Sequence, residues 1–223
     1  MPEPRSVAVW DLPTRLFHWT LVALIALQYA SGEFGWLSME WHFLLGYATL
    51  VLVVFRVAWG FLGSQTSRFS DFVRGPGALY RYAADFMRGR SLHAPGHNPL
   101  GGWSVLAMLV CVAVQVVSGL MTSDDVLDEG PLAGRVSASV VALMSRVHAI
   151  NRQVLLVLIT LHIAAIALHF VFRSHNLVAP MVSGRSRHVA PRELRFVPAW
   201  RAVVLLVLSV GGVWALVAWG QAA

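Results

Sequence analysis

The stretch RVHAINRQVLLVLITLHIAAIALHFVF, Arg146 to Phe172, decides how this chain is read. It is long and apolar enough to cross a bilayer, which takes about 20 residues. Yet it holds His148 and His162 inside the apolar run and His169 further along. Ionisable residues at membrane depth are costly and mark function by default. Fourteen residues separate His148 from His162. In an α-helix they differ by about 40° around the axis and by roughly 21 Å along it. One helix face therefore offers an imidazole near each side of the membrane, as a helix holding two stacked cofactors would need.

The rest of the composition agrees with a membrane chain. Of 223 residues, 57% are hydrophobic, and the mean hydropathy is +0.64; a soluble domain is nearer 45–50% apolar, taken roughly. One membrane domain over residues 1–223 is the expected organisation. The net charge of +6 comes from arginine alone, without a lysine. In a membrane protein such charge reports orientation first and gives no reason to expect a nucleic-acid partner. Cys111 is the sole cysteine, which excludes internal disulfides, cysteine-rich zinc sites and iron–sulfur clusters. No C-x-x-C-H is present, so covalent c-type haem is not expected. The opening MPEPRSVAVWDLPTR lacks a signal-peptide pattern, so the first apolar segment is expected to stay as a span.

Five spans follow from hydropathy, an all-α integral membrane bundle. They run from about Thr14 to Ala30 with His18 near the start, about Trp41 to Leu62 opening on His42, about Trp103 to Met121, the Arg146 stretch itself, and about Ala199 to Trp219. The first four form a core over about residues 14–172, and the fifth is additional. Between the second and third lies a long Arg-, Gly- and Pro-rich connection, Gly63 to Gly102, within which ALYRYAADFM (Ala78–Met87) has the pattern of an interfacial helix. No repeat of fixed period is evident.

Orientation comes from charge. The N-terminal segment, the second-to-third loop and the fourth-to-fifth loop share one side and carry most of the arginines, including Arg5, Arg74, Arg90, Arg173, Arg187 and Arg195. The opposite side carries Glu33, Glu40, Asp124, Asp125, Asp128 and Glu129. The positive-inside rule puts the N-terminus in the cytoplasm and the C-terminus outside. Each histidine then acquires a depth. His18 and His162 lie toward the cytoplasm; His42 and His148 lie toward the outer face. Two pairs result, His18/His162 and His42/His148, each joining two helices at one depth. Bis-imidazole ligation of a b-type haem iron requires that arrangement.

Each residue has a plainer alternative. A single membrane histidine serves as a helix–helix hydrogen-bonding group, but four falling into two depth-matched pairs is hard to assign to chance. Zinc would want further ligands at the same depth, and no carboxylate or thiol offers itself there. Gly46, one turn after His42, lets a flat ring approach, or lets helices cross tightly. Arg56 follows His42 by fourteen residues on the same face, where a haem propionate would neutralise it. Arg15 and Arg152 are further propionate candidates; Arg15 reads better as snorkelling to headgroups. His169 extends the His162 stripe and suits a propionate, a proton relay to a quinone, or an interfacial position with no task. His93, His97, His175 and His188 read as solvated loop residues, and the tryptophans at span ends (Trp19, Trp36, Trp41, Trp59, Trp103, Trp200 and Trp219) as interfacial belts.

With these residues in place, the chain resembles the bacterial cytochrome b561-type di-haem proteins, close to the b-type cytochrome subunits of nickel–iron hydrogenases. The resemblance covers most of residues 8–182. It rests on FHW at Phe17–Trp19, H-x-x-x-G at His42–Gly46 with Arg56, HNPLGG at His97–Gly102, SGL at Ser118–Leu120, and the His148–His162 spacing. It implies that His18, His42, His148 and His162 are axial ligands of two haem b groups. It also implies electron transfer between the quinone pool and a periplasmic or membrane-attached redox partner, such as a hydrogenase-like subunit or a c-type cytochrome, in the bacterial inner membrane. Quinone is expected near the inner haem, around His162, His169 and Arg173. The fifth span suits the hydrogenase-type subfamily. Some four-helix relatives are thought to oxidise superoxide and reduce quinone; the acidic outer loop argues against that activity here. A haem-independent membrane anchor is the remaining class, and it predicts no haem absorption.

Overall fold

The first long helix begins where the side chains dictate. Asp11 accepts the Thr14 backbone N–H at 2.9 Å, an N-terminal cap. Pro13 sits in the first turn, where a missing N–H costs nothing. In the computed structural model, which describes residues 6–88, 96–123, 128–173, 176–186 and 193–222, this helix is α1, Leu12–Phe34. It is preceded by a two-residue strand β1, Val7–Ala8. Then come α2, Met39–Leu62, short helices α3, Phe69–Phe72, and α4, Pro76–Met87, and the long α5, Pro99–Gly119. The longest helix, α6, is Ala138–Arg173. After it come α7, Val178–Ser183, the strand β2, Arg185–Ser186, and α8, Trp200–Gln221. Among the described residues the fold is helical but for β1 and β2, which pair antiparallel with Val7 opposite Ser186.

Four helices are long and apolar enough to cross a membrane: α2, α5, α6 over Ala138–Phe172, and α8. The first helix has the length, 23 residues, but Arg15, His18, Gln28 and Glu33 interrupt its apolar character. Helix α6 starts earlier than the apolar run, because SVVALMS (139–145) continues the helix as a polar-flecked lead-in. Helix α4 brackets the expected interfacial segment.

The backbone contacts divide into two compact units. The first holds residues 1–16, 58–108 and 158–202. A polar seam runs through its core beside the buried rings of Trp59 and Phe72. Ser64, Thr66 and Ser67 are buried. Thr66 donates to the Val9 carbonyl at 2.7 Å, and the Ser67 and Thr14 hydroxyls bond at 2.6 Å. Gln65 N–H donates to the Arg195 carbonyl at 2.9 Å, and Arg195 N–H returns to Gln65 Oε1 at 3.1 Å. The start of the long second-to-third connection thus ties the N-terminal segment to the approach of α8, satisfying buried polar groups that would otherwise be costly. Trp59, expected in an interfacial belt, is instead wholly buried in this unit. His97, expected in solvent, packs edge-on to Trp10 with ring centroids 4.7 Å apart and lies 5.0 Å from the Phe72 ring. Asn98 caps α5 by accepting the Gly101 N–H at 2.7 Å. HNPLGG is therefore an aromatic anchor, a cap and a first-turn proline in succession. His93, His175 and His188 lie outside the described residues.

The second unit holds residues 17–57, 109–157 and 203–223. Arg135, in the turn before α6, fixes the end of α8: its Nη2 donates to the Trp219 carbonyl at 2.5 Å and its guanidinium lies 4.6 Å from the Trp219 ring. A charged hydrogen bond and a cation–π contact together stabilise by about 1–2 kcal/mol. Arg135→Ala is expected to lower the Tm of the detergent-solubilised chain and to hasten protease cleavage near the C-terminus; unchanged cleavage would show that α8 docks without it.

Candidate haem-ligating histidines

His42 stands in the first turn of α2 and His148 in the first third of α6, both in the second unit and both half-buried. His148 is within electrostatic range of His42 and of Arg152. His42 and His148 thus share one unit, near enough to feel each other's charge.

The hydrogen bonds fix the tautomer of each ring. His42 Nδ1 lies 2.8 Å from Ser31 Oγ. That hydroxyl already donates its one proton to the Gln28 carbonyl at 2.9 Å, so its oxygen accepts from the imidazole Nδ1–H. His148 Nδ1 lies 3.0 Å from the Gln115 carbonyl, which can only accept, and 3.2 Å from Ser118 Oγ. The Ser118 hydroxyl is itself committed to the Val114 and Gln115 carbonyls. In both neutral rings the proton is on Nδ1 and the lone pair is on Nε2, the form that ligates a metal. A glycine flanks each ring. A Cβ on Gly32 would come within 3.2 Å of His42 Cε1, and one on Gly119 within 3.0 Å of His148 Cε1. The donor set therefore fits a bis-imidazole haem.

The remaining expected residues fall as follows. His18 lies on α1, half-buried, edge-on to Trp19 with ring centroids 4.9 Å apart. His162 lies on α6, also half-buried. The two belong to different compact units. Arg56 is 3% exposed, far from a snorkelling posture, with its guanidinium 5.9 Å from the Phe17 ring. Arg15 donates to the Val182 carbonyl at 2.5 Å, closing α7 where Gly184 turns at φ +78°. Arg152 pairs with Glu33 at 2.6 Å. The nearest side chain to the open face of Gly46 is Gln28, whose Nε2 would lie 3.6 Å from an added Cβ. His169 is held by the Ala165 carbonyl of its own helix at 2.9 Å.

Gln28, Ser31 and Gly32 stand in no motif named above, and Ser118 and Gly119 stand only in SGL. The signal was present: QYASG (Gln28–Gly32) and QVVSG (Gln115–Gly119) share the pattern Q-x-x-S-G. Each lies in the last turns of a helix that is followed by a histidine-bearing helix.

Apolar helices that carry half-buried histidines with Nδ1 occupied in hydrogen bonds fit a membrane haem protein. A family model described as prokaryotic cytochrome b561 matches residues 9–184, and the chain belongs to that family. It is also similar to the probable Ni/Fe-hydrogenase B-type cytochrome subunit of Azotobacter chroococcum mcd 1. That relative is 24% identical over 218 residues, which cover 82% of this chain and 89% of the relative. The protein is thus a transmembrane cytochrome that transfers electrons through haem b.

Proposed function

We propose that the chain conducts electrons across the bacterial inner membrane through two b haems, between a periplasmic or membrane-attached redox partner and the quinone pool. The observation that carries this reading is the matched state of His42 and His148, each with Nδ1–H bonded and Nε2 left as the ligating nitrogen. His42 and His148 hold the outer haem, and His18 with His162 hold the inner one. Helix α1 then crosses as a fifth span, since His18 belongs to the haem-bearing core. The N-terminus is cytoplasmic and the C-terminus periplasmic, as the arginine distribution requires.

The haem, when bound, supplies a one-electron couple whose potential the protein sets through ligands, burial and nearby charge. His42 and His148 hold their rings in a fixed tautomer. Arg56 offers a buried positive charge to a propionate. His169 and Arg173 flank the inner end of α6, where quinone would exchange electrons and protons. The partner docks near the outer pair, and the name of the Azotobacter relative favours a hydrogenase-like subunit. Superoxide oxidation at the same face would want free cations there. Arg152 is already neutralised by Glu33, which favours a protein partner over an anionic substrate.

The test is a reduced-minus-oxidised spectrum with haem stoichiometry on the purified chain. Two haems per chain with b-type absorption are expected. Absence of haem would leave only the anchor reading. One haem per chain would break the two-pair assignment.

A further inference from the structure

Two hydrogen-bonded cradles of the same design hold the outer histidines, and one recurring motif builds both. In the first, the last two turns of α1 hold Q-x-x-S-G and the next helix, α2, carries His42. In the second, α5 ends in Q-x-x-S-G and the next helix, α6, carries His148. The serines are the only polar groups of the motif that reach the rings through a side chain, and both are buried: Ser31 is 6% and Ser118 1% exposed. The glutamine side chains repeat the pattern. Gln28 Nε2 donates to Thr49 Oγ1 on α2 at 3.3 Å, and Gln115 Oε1 accepts from Asn151 Nδ2 on α6 at 2.8 Å. Each glutamine thereby ties its helix to the histidine-bearing one, a turn or two beyond the histidine. Asn151 makes a second bond, to the Cys111 carbonyl at 2.8 Å, which stiffens the second cradle further.

We propose that Gln28–Ser31–Gly32 and Gln115–Ser118–Gly119 are two copies of one positioning device, which lock both outer imidazoles in the Nδ1–H tautomer and tune a single haem from both faces. This rests on His42 and His148 being its ligands. The serine oxygen at His42, and the serine oxygen with the Gln115 carbonyl at His148, draw on the Nδ1–H, which makes Nε2 the stronger donor. A stronger donor favours ferric iron and holds the potential down. The glycines admit the rings against the motif helices. The glutamine cross-links keep the carbonyls where the rings need them. Because both cradles act on one iron, their effects fall on the same redox centre although the motifs lie on different helices.

The full chain, purified with its haem, tests this through Ser31→Ala and Ser118→Ala. Both substitutions are nearly isosteric and leave the glutamines in place. Haem content is expected to stay at the wild-type level. Each variant should raise the midpoint potential of one haem, and of the same haem, the one lost in His42→Ala. The low-spin electron paramagnetic resonance signal of that haem should shift, with the other unmoved. The double variant should shift further than either single, and Ser31→Thr or Ser118→Thr should restore the wild-type values. Gly119→Ala, which sets a methyl against the His148 ring, should cost the outer haem about ten-fold or more in affinity. Haem-loaded serine variants with both potentials and both signals unchanged would overturn the proposal. So would serine variants that shift different haems. A wild-type chain without haem is a separate result, which defeats the ligand assignment itself.

Discussion

His42→Ala and His148→Ala will each strip one haem from the purified protein, and both will strip the same one. On the proposed two-haem pairing, haem per chain will fall from two to one in either variant, and the surviving haem will show one midpoint potential common to both. His18→Ala and His162→Ala will leave the complementary haem. The expectation for the first two follows from their shared unit and electrostatic proximity, and from the symmetry of their hydrogen bonds. A bis-imidazole iron that loses one ligand keeps a single bond to protein, and alanine at either position supplies no ligating atom. The cradles themselves should persist, because their glutamine cross-links do not pass through the imidazole. Stability should therefore drop by less than the loss of haem suggests. A redox titration on each variant reads the outcome. If His42→Ala and His148→Ala leave haems of different potential, the pairing is wrong even when each retains one haem.

Much of this architecture could be read from the amino acids, for a physical reason. A helix that must satisfy every backbone group in lipid announces itself as a long apolar run, and α2, α5, α6 and α8 do so. Helix α1 announces itself less well, because Arg15, His18, Gln28 and Glu33 interrupt its apolar character. The histidines were visible because an ionisable group in such a run has no cheap explanation. What escaped was whatever depends on a partner distant in sequence. Trp59 at a span end looks like a belt residue until the connection after it folds back and buries it. His97 looks solvated until Trp10 and Phe72 arrive from separate segments. The bond from Arg15 to the Val182 carbonyl likewise stays hidden until α7 is placed beside α1. The Q-x-x-S-G pair escaped for another reason. Glutamine, serine and glycine at helix ends are common, and two occurrences carry no meaning until each is seen to face a histidine.

Arg56→Gln will weaken binding of the inner haem by about ten-fold or more and lower its midpoint potential, leaving the outer haem unchanged. Arg56 sits fourteen residues beyond His42 on α2, which sets it roughly 21 Å deeper along the helix axis, at the depth assigned to His18 and His162. Its guanidinium is buried, 3% exposed, within a helix apolar enough to span a membrane. A cation at that depth costs about 2.5–3.5 kcal/mol even on insertion-based scales. Among its contacts, the Phe17 face 5.9 Å away returns about 0.5–2 kcal/mol as a cation–π contact. A propionate returns more: unit charges 4 Å apart attract by about 4 kcal/mol at an effective dielectric of 20, and burial protects that attraction from salt. The sign of the redox effect follows from charge alone. A nearby cation stabilises the iron after it gains an electron, so removing the cation makes reduction harder. Arg56→Lys keeps the charge and should hold the potential close to wild type, while losing part of the affinity because a bidentate fork becomes a point charge. If Arg56 serves only packing, Gln and Lys will destabilise the bundle alike and move neither potential, and the redox titration distinguishes the two cases.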